Sequence, residues 1–247
     1  MELTAQKTIE KELNSKVVTD PISAAHKELS KEKIREIIAK RAAKEFKEGD
    51  VVTLGIGLPT AVANYVPENM HVIFQSENGL LGVGKDQQKD NLDKRIINAG
   101  GGFVEAKYGA CFYDSQMAFT MMRGGHIDAT VLGALQVDEE GSLASWVIPG
   151  KMVPGMGGSM DLVVGAKKVI IAMEHTSKGQ IKIVDKCTLP LTAYKEVDMI
   201  ITERCVFKVS DCGLVLTEIN PLFTIEDIRA CTTAHFSVSD HLKFMDV

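Results

Sequence analysis

Glu77 stands where a lone carboxylate has the best opportunity to meet a ligand. His71-Val72-Ile73-Phe74 reads as a short buried strand, and Ser76, Asn78 and Gly79 supply turn chemistry around the acid, so Glu77 falls at a strand's carboxyl end. Open α/β sheets bind their ligands at such ends. A carboxylate that takes part in chemistry must be ionised yet poorly solvated, a balance that a partly covered turn provides. Residue type alone would make Glu77 an ordinary surface acid. The residues around it argue otherwise.

Met152–Asp161, Met-Val-Pro-Gly-Met-Gly-Gly-Ser-Met-Asp, precedes the apolar Leu162-Val163-Val164. Its plain reading is a tight turn. Its chemical reading is a set of backbone N–H groups, freed by glycine before a helix start, that can hold developing negative charge on oxygen. A further glycine loop, Gly55-Ile56-Gly57-Leu58-Pro59-Thr60, follows the strand-like Val51-Val52-Thr53-Leu54. Leu58-Pro59-Thr60 breaks the G-x-G-x-x-G spacing that a dinucleotide pyrophosphate requires, which argues against a Rossmann NAD site.

The elements that must position these groups follow an α/β order. Ser30 caps a helix whose apolar stripe is Ile34, Ile37, Ile38, Ala42 and Phe46, ending at Gly49. A short helix is expected from Pro59 to about Tyr65. Asp114 caps a helix with Met117, Ala118, Met121 and Met122 on its core side, stopping at Gly124-Gly125. Apolar runs at 127–132, 143–147, 169–173, 181–184 and 199–202 predict further strands of a large sheet. Cys205–Val209 and Leu214–Glu218 predict a hairpin around Asp211-Cys212-Gly213, and Thr224 with Asp227 predicts a final helix start.

With 247 residues, 45% of them hydrophobic, and a mean hydropathy near zero, residues 30–247 are expected to form a single α/β domain. Residues 1–29 read as a weakly structured extension. A net charge of −5 without a basic stripe argues against nucleic acid as a partner. No apolar run approaches the roughly 20 residues that span a bilayer, and the amino terminus is charged where a secretory signal is apolar, so the expected location is the cytoplasm, away from membranes. The five cysteines show no C-x-x-C pairing and the six histidines no ligand spacing, so neither a metal site nor disulfides are expected.

Phe74-Gln75-Ser76-Glu77-Asn78-Gly79-Leu80-Leu81-Gly82 resembles, at every position, the active-site signature of the class I CoA transferases of the acetoacetate/butyrate and 3-oxoacid type. Asn98-Ala99-Gly100-Gly101-Gly102, Arg123–Asp128, Trp146-x-x-Pro149-Gly150-Lys151-Met152 and Met173-Glu174-His175 carry the resemblance from about Glu32 to Val238. The resemblance implies an open sheet flanked by helices, a fold shared with certain sugar-phosphate isomerases, and a heterotetramer in which this chain is the β subunit, its partner the CoA transferase α subunit. It implies CoA transfer between an acyl-CoA and a short-chain (3-oxo)carboxylate through a covalent glutamyl-CoA thioester, ping-pong, with coenzyme A as a substrate and no tightly bound cofactor. Glu77 would be the nucleophile and Gly158 part of the oxyanion hole. Thr53, Gly55, Gly57, Pro59, Asn78, Gly79, Gly101, Gly157 and Ser159 would contribute to the substrate pocket. His126, Asp128 and His175 read as structural.

Several positions depart from the resembling family. Thr53 stands where relatives commonly carry asparagine facing the glutamate, Ser159 where alanine is common, and Phe103–Tyr108 diverges. Glu105, if it points inward, would favour an amino-substituted or smaller acid; otherwise it is a solvated charge. Two rivals share the same fold expectation: a noncatalytic, metabolite-sensing regulatory subunit, and an acyl-CoA hydrolase. The complete signature around Glu77 favours the transferase, because a sensor needs no nucleophile there.

Overall fold

The computed structural model describes residues 29–88, 90, 92–150 and 155–246. The extension at 1–28, and Lys151, Met152, Val153 and Pro154 before the glycine cluster, lie outside the described residues. Helix α1 (Lys31–Ala43) opens on the expected cap, the Ser30 side chain accepting from Lys33 N–H at 3.2 Å. It ends at Ala43, six residues before Gly49, whose φ of +84° belongs to the turn into the first strand.

The central sheet takes β1 (Val51–Leu54), β2 (Ile73–Ser76), β3 (Leu80–Asp86), β4 (Val104–Phe112) and β5 (Ala129–Leu132) from the first half of the chain. Between β4 and β5 lies α2 (Ser115–Arg123), its cap Asp114 accepting from Met117 N–H at 2.8 Å. Two short strands, β6 (Gln136–Asp138) and β7 (Leu143–Ala144), precede α3 (Ser159–Gly165). Then come β8 (Val169–Ala172), β9 (Thr176–Ser177), β10 (Gln180–Ile181), β11 (Ile183–Val184), β12 (Met199–Ile201), β13 (Cys205–Ser210), β14 (Gly213–Ile219), α4 (Ile225–Ala230) and β15 (Phe236–Phe244). Ten strands form one sheet in the order β15-β14-β13-β12-β8-β5-β1-β2-β3-β4. Its centre, β12 to β2, is parallel, and antiparallel strands flank it on both sides. The apolar run at 181–184 divides, β10 pairing with β9 and β11 with β6 in small separate sheets.

Strand alternation sorts the side chains into two cores. On β8, Ile170 and Ala172 pack with α1 residues Ile37, Ile38 and Ala42, whereas Val169 and Ile171 pack with Met122 of α2 and Leu162 and Val163 of α3. The result is the expected α/β architecture, a sheet covered by helices on both faces. Met117 departs from its expected core position: it is exposed, and Met122 fills the core from the same helix. Parallel strands β1 and β2 run in the same direction, so the glycine loop after β1 and the Glu77 turn after β2 emerge at one sheet edge.

Arg41 lies on the buried side of α1, held by Glu218 of β14 (Nε–Oε2 2.6 Å, Nη2–Oε1 2.8 Å) and by Glu45 (2.6 Å). Removing one partner of a buried pair leaves a charge with too few partners, so Glu218→Ala should lower stability by about 3–5 kcal/mol in urea unfolding. A loss below ~1 kcal/mol would show that the pair behaves like a surface contact.

His175, just beyond β8, bears out its structural reading. Its ring bridges Thr202 Oγ1 and Thr232 Oγ1, both at 3.0 Å, and its backbone N–H donates to Glu203 at 2.8 Å. Burial, reinforced by the positive charges of Arg204 and Lys182, pushes its pKa down to about 3. The folded state therefore keeps the ring neutral while the unfolded chain protonates it near the ordinary histidine value. Stability is expected to fall as pH drops below ~6.5, by up to about 1.4 kcal/mol per pH unit, until the folded ring itself protonates. His175→Gln should remove about one proton from the acid-unfolding linkage; an unchanged slope would contradict this.

Candidate active site

The Glu77 turn is built by the three-residue connection Glu77-Asn78-Gly79 between β2 and antiparallel β3. Gly79 N–H closes it on Ser76 C=O at 3.0 Å, and Gly79 adopts φ +108°. A Cβ at Gly79 would collide with the Tyr113 carbonyl, while the Gly79 carbonyl accepts Tyr113 N–H at 3.0 Å. On the other side the turn is tied to the loop around Gly100. Asn78 Nδ2 donates to Ile97 C=O at 2.7 Å, and Ser76 Oγ accepts Ala99 N–H at 2.9 Å. Asn98 Oδ1 in turn accepts the N–H groups of Gly100 and Gly102, each at 2.9 Å. Two sets of bonds thus hold the half-buried Glu77 in place.

Its carboxylate reaches the start of α3. A Cβ on Gly158, the residue before that helix, would collide with Glu77 Oε2, and a Cβ on Gly157 would lie 3.2 Å from Oε1. Among the described residues neither Gly157 nor Gly158 N–H has a hydrogen-bond acceptor. The ring of Phe119 on α2 closes the same space, 3.2 Å from where the Gly158 Cβ would stand. Helices α2 and α3 lie so close that a Cβ on Gly165 would strike the Met122 carbonyl, and Arg123 Nε reaches Asp161 at 2.7 Å. The packing of the two helices therefore brings Gly157 and Gly158 over the carboxylate.

The remaining candidate residues take different places. Thr53 is buried under the site, its hydroxyl donating to Gln75 Oε1 at 2.7 Å. Ser159 is half-buried in the first turn of α3. Gly55 is packed against Leu132, and Pro59 is buried at the start of a 3₁₀ helix spanning Pro59–Tyr65, as expected. Gly57 carries φ +92°, its carbonyl accepting from the Thr60 hydroxyl at 2.7 Å and from Arg35 at 3.3 Å. Ile56 touches the Gly100 position, so the loop after β1 meets the loop holding Gly101. An open cavity of about 410 Å³ begins at Ser76, Ala99 and Ile56 and runs between the 3₁₀ helix and β2–β4, over apolar Val72 and Phe74 to Lys107. Glu105 is exposed on β4, so the inward orientation that would have made it a selector is absent. Phe119, Tyr113 and the role of Gln75 escaped sequence reasoning. For Gln75 a signal existed, since it lies two residues before Glu77 on the strand that leads into the turn.

A half-buried carboxylate at the end of a parallel strand, packed against two glycines at a helix start, is an arrangement suited to acyl-group chemistry. The fold is that of solved transferases: the apoenzyme of an acyl-CoA transferase from Escherichia coli O157:H7 superposes with a TM-score of 0.69 at 24% identity over 86% of this chain, which spans 43% of that structure's chain. The chain belongs to the coenzyme A transferase family, whose sequence model matches residues 35–230, and is thereby a transferase of that class. It is 54% identical over 207 residues to the acetate CoA-transferase beta subunit of Escherichia coli K12, covering 83% of this chain and 94% of the relative. It is 48% identical over 206 residues to a subunit of the succinyl-CoA:3-ketoacid coenzyme A transferase of Helicobacter pylori, covering 83% of this chain and 99% of the relative. No helix among the described residues is long and apolar enough to cross a membrane.

Proposed function

We propose that the chain is the catalytic β subunit of a heteromeric CoA transferase that moves CoA between an acyl-CoA and a short-chain carboxylate. The observation that carries this reading is the placement of the Glu77 carboxylate against Gly157 and Gly158. Glu77 attacks the thioester carbonyl, forming a mixed acyl-glutamyl anhydride and releasing CoA thiolate. The thiolate then attacks the glutamyl carbonyl, giving a glutamyl-CoA thioester and freeing the first acid as carboxylate. A second carboxylate attacks that thioester and the steps run in reverse, so the kinetics are ping-pong and the protein supplies both nucleophile and leaving group. Each tetrahedral step places negative charge on an oxygen near Glu77, and the Gly158 N–H, which has no acceptor among the described residues, is suited to stabilise it. CoA held away from the thioester contributes binding energy to the transition state.

The two relatives are named as subunits, and the α partner of a heterotetramer completes this reading by covering the pocket and adding oxyanion donors. Acetate, butyrate and acetoacetate are the candidate acids, handled in the cytoplasm. The deciding experiment co-expresses the chain with an α partner, adds acyl-CoA without acceptor acid, and seeks a CoA adduct on the Glu77 peptide by mass spectrometry. The adduct, discharged by added acid, is the expected result. Absence of the adduct overturns the covalent route, and discharge by water at a rate unaffected by acid makes the protein a hydrolase.

A further inference from the structure

Phe119 takes part in none of the transfer steps, yet its ring stands beside the carboxylate that performs them. A Cβ on Gly158 would collide with Glu77 Oε2 and lie 3.2 Å from Phe119 Cζ, so the carboxylate and the ring tip flank one point at the start of α3. The ring is held there from both helices. Its body packs half-buried against the core that Met122 and Leu162 share, and the Arg123 guanidinium lies over it, 5.4 Å from the centroid. Arg123 Nε is bound in turn by Asp161 of α3 at 2.7 Å. Phe119, Arg123 and Asp161 thus form a strap across α2 and α3.

A glutamyl-CoA thioester has to survive until the second acid arrives, in a solvent where water far outnumbers any acid. Hydrolysis would form a C–O bond from water to the Glu77 carbonyl carbon as the C–S bond breaks; CoA leaves as thiol with one proton, and the other is lost to solvent from the regenerated carboxyl. Water therefore needs room beside that carbon, hydrogen-bond partners to hold it, and a base to accept its proton. A carboxylate acceptor is already an anion and needs no base. On the flank that Phe119 occupies, the ring fills the room and offers no acceptor, and Asp161, the acid in the first turn of α3, is engaged by Arg123.

We propose that Phe119 is the residue that keeps water from the glutamyl-CoA intermediate and so directs CoA to a carboxylate rather than to hydrolysis. This inference rests on the transferase reading and adds the group that sets its choice of acceptor. Excluding water from a site suppresses hydrolysis of reactive intermediates, and here the excluding group is one identifiable ring. Truncating it leaves a space bordered by the Glu77 carboxylate and the backbone of Gly157 and Gly158, polar enough to hold water, whereas a void with apolar walls would stay dry.

The test uses the chain assembled with its α partner and loaded with CoA on Glu77 from an acyl-CoA, and measures two rates: discharge of the adduct by buffer alone and discharge by a saturating acid. In wild type the acid is expected to dominate. Phe119→Ala is expected to raise the ratio of water to acid discharge about tenfold or more, and Phe119→Leu, which keeps an apolar side chain beside the carboxylate, to stay within about threefold of wild type. A merely structural role would not move this ratio, since partial misfolding lowers both discharges together. Phe119→Gln, polar where the ring is apolar, decides the matter if Phe119→Ala fails to assemble, and should raise the ratio likewise. An unchanged ratio in the deciding variant, a rise in Phe119→Leu as large as in that variant, or a wild type discharged as fast by water as by acid overturns the water shield while the CoA adduct on Glu77 still forms. Absence of that adduct in wild type removes the transferase reading instead.

Discussion

Glu77→Ala should abolish CoA transfer, lowering kcat/KM by roughly 10⁵-fold or more, the scale on which removal of a covalent nucleophile acts. Glu77→Gln should be equally inactive, because the amide keeps the shape and the turn contacts but lacks a nucleophilic oxygen anion. The acid is half-buried and no hydrogen bond to its side chain is seen among the described residues, so both variants should unfold within about 0.5 kcal/mol of wild type. The contrast between lost rate and retained stability is the informative result. Steady-state exchange with labelled acid measures the first and urea unfolding the second. Activity in Glu77→Ala within about tenfold of wild type would exclude the covalent mechanism.

Gly158→Ala is the second large effect and isolates geometry from chemistry. Gly158 has φ −84°, ordinary for any residue, so alanine meets no backbone strain there. Its methyl group would nevertheless collide with Glu77 Oε2 and press on Phe119. The carboxylate must move away from the glycine pair. A displacement of about 1 Å at a reacting atom costs on the order of 10²-fold in rate, and loss of one oxyanion donor costs about 10²–10³-fold. Transfer in Gly158→Ala is therefore expected to fall by about 10²–10³-fold in kcat, with the glutamyl-CoA adduct forming correspondingly slowly. Near-normal kcat would show that the carboxylate swings freely and that Gly158 is no constraint. Gly165→Ala is the instructive contrast, since its methyl would strike the backbone of α2 and the damage should appear in folding first.

Local chemistry was enough for the elements and for the turn that carries Glu77. Caps at Ser30, Asp114 and Thr224 are bonds to N–H groups three residues on, and the Thr224–Asp227 capping box forms within a single turn. The hairpin at Asp211-Cys212-Gly213 and the Glu77 turn likewise depend on residues that are neighbours in sequence. Where partners come from afar, local pattern was insufficient. The run at 181–184 is uniform in sequence yet splits between two small sheets, because pairing is decided by β9 on one side and β6 on the other. Met117 and Met122 are the same residue type on one short helix, and only the position of α3 and the sheet makes one exposed and the other core.

By itself, the sequence determined that this protein is an α/β coenzyme A transferase and that the Glu77 carboxylate stands in a turn at a strand end, since a signature, a strand end and a turn are properties of contiguous residues. Tertiary structure alone decided what surrounds that carboxylate. The close approach of α2 and α3 at Gly165 sets Gly157, Gly158 and Phe119 over it, and strand pairing sets Thr53 against Gln75. Edge placement of β4 turns Glu105 out to solvent. The physical reason is the same in each case: excluded volume and hydrogen-bond complementarity between segments distant in the chain have no local signature, and they exist only once the sheet and both helix layers are packed.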